Sequence, residues 1–193
     1  MNILTIDVTD KKLVVACSNE DIVFSKISDE TGKKHNSLIM PYVEEVLINA
    51  NLDIKDIDVF SAVVGPGSFT GIRIGIATIK ALSFATGKPC VSITALEELA
   101  YGKEGTFITA IDAMHDNYYA ATFNNSFESM LDMDCYPIDV IKSKGLPIYF
   151  KEKESNPNTL IEITKIKANK GEFSTLEPIY LRKSQAERDK DGN

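Results

Sequence analysis

The first thirty residues read as three short apolar runs, "NILTIDV", "LVVACSN" and "DIVFSKIS", set apart by the polar turns "TDKK" and "NED". Short apolar runs broken by turn residues predict an antiparallel meander of three strands. "HNSLIMPYVEEVLINANL" then places Leu38, Ile39, Tyr42, Val43, Val46 and Leu47 on one helical stripe. Pro41 falls near its first turn, where a missing N–H is tolerated. "DVFSAVV" predicts a buried strand. "TGIRIGIATIKALSFATG" predicts a helix that Gly87 closes and Pro89 keeps from resuming. "PCVSIT" is a further strand. "TALEELAYG" is a further helix, with Thr94 as N-cap and Glu97 at the third helical position, a capping box.

The first half therefore reads βββαβαβα, the ribonuclease-H-like order of the actin, sugar-kinase and heat-shock-ATPase folds, a likeness of fold and not of chemistry. The second half repeats the opening more faintly. "TFITAIDA", "NYYAATFN", "FESMLDMDCYPI" and "LPIYFK" predict strands. "NPNTLIEITKIKANKG" predicts a helix, because Asn156 can cap it, Pro157 suits its first position and Gly171 can stop it. The expected architecture is a two-lobed α/β fold with the second lobe reduced. Residues 1–102 form the first lobe and 103–193 the second, with the C-terminal segment returning toward the first and the tail 186–193 frayed.

The chain's 193 residues suffice for one large domain or two small lobes sharing a core. Its formal charge is −7 and is spread out: 9 basic against 13 acidic residues through Gly102, then 12 against 15. Neither half is a basic lobe, so strong binding of nucleic acid by the chain alone is not expected. Local cationic clusters remain at Lys142, Lys144, Lys151 and Lys153, and at Arg182, Lys183 and Arg188. "MNILTIDVTD" lacks a basic leader and a cleavage site, and no apolar run is long enough to span a bilayer, so neither a signal peptide nor a membrane span is expected. Cys17, Cys90 and Cys135 are isolated and odd in number, as expected of reduced thiols in the cytoplasm.

Strand, glycine-rich loop and helix follow one another in "FSAVVGPGSFTGIRIGIATIKALSFATG", the order of many phosphate loops. The known templates fail. A Walker loop needs Gly-Lys-Ser/Thr where Gly71-Ile72-Arg73 stands. GxGxxG needs a glycine at Thr70. A GxSxG elbow around Ser68 needs glycines at Pro66 and Thr70. The plainer reading is a tight turn at Gly65-Pro66-Gly67, with Ser68 or Thr70 capping the helix. Gly71, Gly75, Ala77, Ala81 and Ala85 make small-residue strips that let another helix approach. Only Arg73 and Lys80 are charged on a helix apolar nearly all round, so burial on most faces is expected, one of them against a partner.

The turn after the first strand, Asp7-Val8-Thr9-Asp10, lacks the glycine two residues after the aspartate that lets amides touch phosphate. His35 and His115 stand alone, so local spacing builds no zinc cage. His35 is expected at the surface at a helix start. Asp112, His115 and Asp116 are expected to form a turn cluster, and "KSKGLPIYFKEKE" a solvated face around one strand.

"GPGSFTGIRIGIATIKAL" closely resembles the signature of the TsaB family, formerly called YeaZ. Weaker matches follow in the same order: "ILTIDVT", "HNSLIMPYVEEVL", "SITALEELAY", "IDAMHDNYYAATF" and "EPIYLRKSQAE". Val8, Met114 and Asn117 depart from the family pattern, Met114 standing for its usual arginine and Asn117 for its glutamate. The resemblance implies a degenerate kinase-like ATPase fold without catalytic, cofactor-binding or metal-binding residues of its own. It implies pairing with the paralogue TsaD, which carries the metal-binding histidines and transfers threonylcarbamoyl to the adenosine beside the anticodon of certain tRNAs. A homodimer through the same helices and further subunits are also implied. The interface expected on this basis comprises His35, Leu38, Pro41 and Tyr42 on one helix, and Ser68, Phe69, Thr70, Gly71, Arg73, Ile74, Gly75 and Thr78 on the other. The alternative from a different class is an active ATP-dependent enzyme of the same fold; a metallopeptidase fails on histidine count.

Overall fold

The computed structural model describes residues 1–29, 35–124 and 133–182. Its first sheet has five strands: β1 (Ile3–Asp7), β2 (Val14–Asn19), β3 (Ile22–Ile27), β4 (Val59–Val63) and β5 (Cys90–Ile93), in the order β3-β2-β1-β4-β5. β1, β2 and β3 pair antiparallel as the meander predicted, and β4 and β5 add on parallel to β1. Thr5 at the centre lies opposite Ala16 on one side and Ser61 on the other. β1 and β4 are buried along their whole length, so their near-continuous apolar sequences match strands covered on both faces.

Period-two alternation divides this sheet between two cores. Leu4, Ile6, Val8, Val15, Cys17, Phe60 and Ala62 face α1 (His35–Ala50) and α2 (Phe69–Thr86). Ile3, Ala16, Val59, Val63, Val91 and Ile93 face the other way. Burial pushes the Cys17 thiol up to about 12. α2 begins at Ser68, whose Oγ accepts from the Gly71 amide at 3.2 Å, and ends at Gly87 in the left-handed region. α3 (Ala95–Ala100) carries the predicted capping box: Thr94 Oγ1 accepts from Glu97 N at 3.0 Å, and Glu97 Oε2 from Thr94 N at 2.7 Å.

The second sheet contains β6 (Phe107–Asp112), β7 (Asn117–Phe123), β8 (Asp134–Pro137) and β9 (Ile148–Phe150), ordered β8-β7-β6-β9. Phe107, Ala121 and Phe123 pack it on Leu96 and Ala100 of α3. Its opposite face is covered at Ile108, Ala110 and Ala120 by Ile141 of α4 (Ile138–Ser143). The sequence reading missed α4, because six residues with one buried side chain are too short to carry a helical period. It also drew β9 longer than it is. The predicted strand over "FESMLDMDCYPI" keeps Asp134–Pro137; residues 127–132 lie outside the described residues.

α5 (Pro157–Asn169) starts at Asn156 with Pro157 in its first position, as predicted. It lies on the first sheet. Leu160, Ile161 and Ile163 are buried there, Ser61 Oγ and Thr164 Oγ1 are 2.7 Å apart, and Lys167 Nζ reaches Glu97 Oε1 at 2.7 Å and Ser92 O at 2.9 Å. Residues 172–182 then run back as a strap. The Ser174 amide donates to Cys90 O and the Ile179 amide to Val64 O, while Leu176 is buried. Arg182 Nη1 donates to Ala113 O in the β6–β7 turn, joining the strap to the second sheet. The frayed tail expected at 186–193 lies outside the described residues.

Candidate functional site

The glycines of the loop before α2 are explained by the turn after β1. A Cβ on Gly67 would collide with the Thr9 carbonyl, and one on Gly71 with the Val8 carbonyl oxygen. A Cβ on Gly75 would lie 3.3 Å from Val8 Cγ2. These glycines therefore let the start of α2 lie directly on the β1–β2 turn. Two of the amides at this junction, those of Thr9 and Ser68, are occupied within the chain. The Ser68 amide donates to Thr9 O at 2.8 Å, and the Thr9 amide to Asp7 Oδ1 at 2.8 Å, with Thr9 Oγ1 adding a bond of 2.7 Å to the same oxygen.

A cleft of about 630 Å³ opens between this turn and the second sheet. Asp10, Asp112, Glu152 and Glu154 line it together with Lys11, Lys12, Lys151 and Lys153, so its charges balance and offer no net pull on a polyphosphate. Near it, buried Asp7 accepts from Ser155 Oγ at 2.5 Å. Lys151 Nζ lies 3.1 Å from Ser155 Oγ and 3.9 Å from Asp7 Oδ2, with its side chain 7% exposed. Lys151 is thus the internal counter-charge of Asp7 and not the surface cation that the lysine-rich segment led us to expect. Burial holds the nearby Glu98 carboxyl above the usual carboxylate range, against the pull of the Lys151 charge.

The cleft rim includes the β6–β7 turn, where Met114, His115 and Asp116 all take left-handed φ, at 68°, 57° and 57°. Asp112 Oδ1 accepts from the Met114 amide at 2.7 Å, and Asn117 Nδ2 donates to His115 O at 2.8 Å. The polar cluster is a turn, as its sequence predicted. Among the described residues no group of three or more His, Cys, Asp or Glu side chains could hold a metal ion, and no helix is long and apolar enough to cross a membrane.

The other candidate surface is the outward face of α1 and α2. Of the residues expected there, Pro41, Ser68, Thr70 and Arg73 are exposed, and Leu38, Tyr42, Phe69, Ile74 and Thr78 are half-buried. His35, Gly71 and Gly75 are buried. His35 begins α1 on the stripe that continues through Ile39 and Val43, so its helical phase turns it inward. Gly71 and Gly75 face Val8, so their small size serves the interior.

What α2 shows to the outside is Ala77, Ala81, Ala85 and Phe84, the last 92% exposed. Beside them Met40, Pro41, Ile48, Leu52, Ile54 and Leu82 line a groove of about 500 Å³. Met40 is 48% and Ile48 68% exposed. Sequence reasoning missed Met40, Ile48, Leu82 and Phe84. Their signal was present in the helical phase, since the residues flanking a buried stripe are the exposed ones. Glu44 and Asp53 share the groove's lining, and exposed apolar surface of this extent is uncommon on a monomer.

Residues 25–141 match the family model of TsaD, tRNA N6-adenosine threonylcarbamoyltransferase. The chain is 28% identical over 160 residues to the tRNA threonylcarbamoyladenosine biosynthesis protein TsaB of Bacillus subtilis, covering 78% of this chain and 70% of that protein. It is 31% identical over 128 residues to TsaB of Escherichia coli, covering 64% of this chain and 55% of the relative. Among solved structures, YeaZ from Pseudomonas aeruginosa superposes with a TM-score of 0.78 at 21% identity, over 93% of this chain and 99% of that one. The match takes in β4, α2, β5 and α3 whole, the β1–β2 turn packs against its glycines, and the fold agrees almost end to end: the chain belongs to the TsaD-type threonylcarbamoyltransferase family, on its TsaB branch.

Proposed function

We propose that this chain is a non-catalytic, cytoplasmic docking subunit of the machinery that makes threonylcarbamoyladenosine in tRNA, and that it pairs with TsaD through the outward face of α1 and α2. The observation that carries this reading is the apolar face around Phe84, Ile48 and Met40; beside it stands a cleft where the Thr9 amide and buried Asp7 are already engaged inside the chain and offer a ligand nothing. Catalysis by TsaD then depends on the arrangement this subunit holds it in. The names of the TsaB relatives support the pathway, and the match to the TsaD model supports a partner carrying a related helix pair.

Co-purification of the chain with TsaD, followed by mass measurement of the assembly, tests the pairing; a defined heterodimer is expected. The competing reading, an ATP-dependent enzyme, predicts micromolar binding of ATP with magnesium by calorimetry, and the docking reading predicts none. Alone, the chain is expected not to shift tRNA at about 150 mM salt, where surface charges are screened within about 8 Å. Arg182 already donates to Ala113 O, and Lys183 and Arg188 lie outside the described residues. Tight binding of tRNA by the lone chain, falling steeply with salt, would replace the scaffold reading with direct recognition.

A further inference from the structure

The outward stripe of α2 has two flanks. On one, Leu82 joins α1 in the apolar groove. On the other lies the strap of residues 172–182. The Phe69 ring stacks on Tyr180 at 4.5 Å with an interplanar angle of 7°. Arg73 Nε donates to Tyr180 Oη at 2.8 Å, and Lys80 Nζ lies 3.4 Å from Glu177 Oε1. At about 100° per residue, Arg73, Ala77 and Phe84 sit nearest the strap, and Ala81 and Ala85 nearer α1. Tyr180 is 36% exposed, although its ring is held by Phe69 and its hydroxyl by Arg73. The backbone bond from Ile179 to Val64 and the buried Leu176 fix the strap beneath it. A rigid, partly exposed tyrosine costs little entropy to order on binding, and such residues anchor interfaces.

The family match runs from residue 25 to 141, so it includes both helices and ends before the strap. Two related helix pairs can meet about an approximate two-fold axis whether the partner is a TsaD-type chain or a second copy. Where both partners bring related helices, discrimination needs an element that differs. We propose that the strap is that element: Tyr180 and Glu177 form the second wall of the docking face and select a TsaD-type partner over a second copy of this chain. This rests on the pairing proposed above.

Sedimentation velocity on the full chain, alone and with TsaD, reads both associations. Tyr180→Ala and Glu177→Lys are expected to weaken the heterodimer about tenfold while self-association stays within about twofold. Phe84→Glu is expected to lose both. Glu177 is largely exposed, so its variant keeps the fold even if Tyr180→Ala does not. If the strap variants weaken both associations equally, or leave the heterodimer unchanged, the selecting role is overturned while the pairing stands. If the folded wild-type chain does not associate with TsaD at all, the pairing reading fails and the selection fails with it.

Discussion

Gly71 and Gly75 lie on a helix whose small residues invite a partner, yet both face Val8. Gly71→Ala should therefore act on folding. Its methyl group would meet a backbone carbonyl, which side-chain rotation cannot move. Overpacking of this kind costs about 1–3 kcal/mol, or several degrees of Tm in a chain of this size at about 2–4 °C per kcal/mol. Gly75→Ala meets a side-chain methyl and should cost less, so thermal melts of the two variants rank the contacts. At the β6–β7 turn the strain runs the other way. Met114 holds a left-handed φ with an exposed side chain, so Met114→Gly should raise stability by about 1 kcal/mol in the same melts.

At the scale of the element, α2 carries two unlike faces. Ile72, Ile76 and Ile79 bury it on the sheet, while Phe84 faces outward with no burial to lose. Phe84→Glu should leave the melting temperature within about 2 °C, since surface changes stay near ±0.5 kcal/mol, yet abolish association with TsaD. An unchanged heterodimer would place the docking face elsewhere. α3 offers the converse test, because its capping box is structural and remote from that face. Thr94→Ala removes the acceptor for the Glu97 amide and should cost about 1 kcal/mol without changing association.

At the scale of the molecule, the two sheets meet over a buried charge cluster. Asp7 comes from the first sheet, Lys151 follows β9 of the second, and Ser155 bridges them just before α5. Lys151→Met should destabilise by about 3–5 kcal/mol, because it leaves the Asp7 carboxylate buried without its counter-charge. Glu98 adds a pH dependence. Its carboxyl is held above the usual range by burial, so the folded chain binds that proton more tightly than the unfolded one does. Stability from this group therefore falls as pH rises through the folded pKa, and recovers as pH drops toward the ordinary carboxylate range. Glu98→Gln should be more stable than wild type at neutral pH, with the difference vanishing on the acid side. A constant difference across pH would assign the effect to packing instead.

The local sequence determined most of the elements, because their signals are short-range. The meander, the Gly87 stop, the Thr94–Glu97 capping box and the Asn156-Pro157 start each depend on residues a few positions apart, and all stand in the structure. The failed phosphate templates were legible for the same reason, since each is a matter of spacing. Tertiary structure decided which way each face points. The glycine pattern of α2 could not say whether Val8 or a partner lay opposite, because β1 is some sixty residues away along the chain. Long separation likewise hid the Lys151–Asp7 pair and the placement of α5 on the first sheet, whereas the inward turn of His35 was open to its local helical phase and was missed. The return of the C-terminal segment toward the first lobe was expected, but its contacts on α2 were illegible, because Tyr180 meets Phe69 and Arg73 only once the sheet has brought that segment back across the fold.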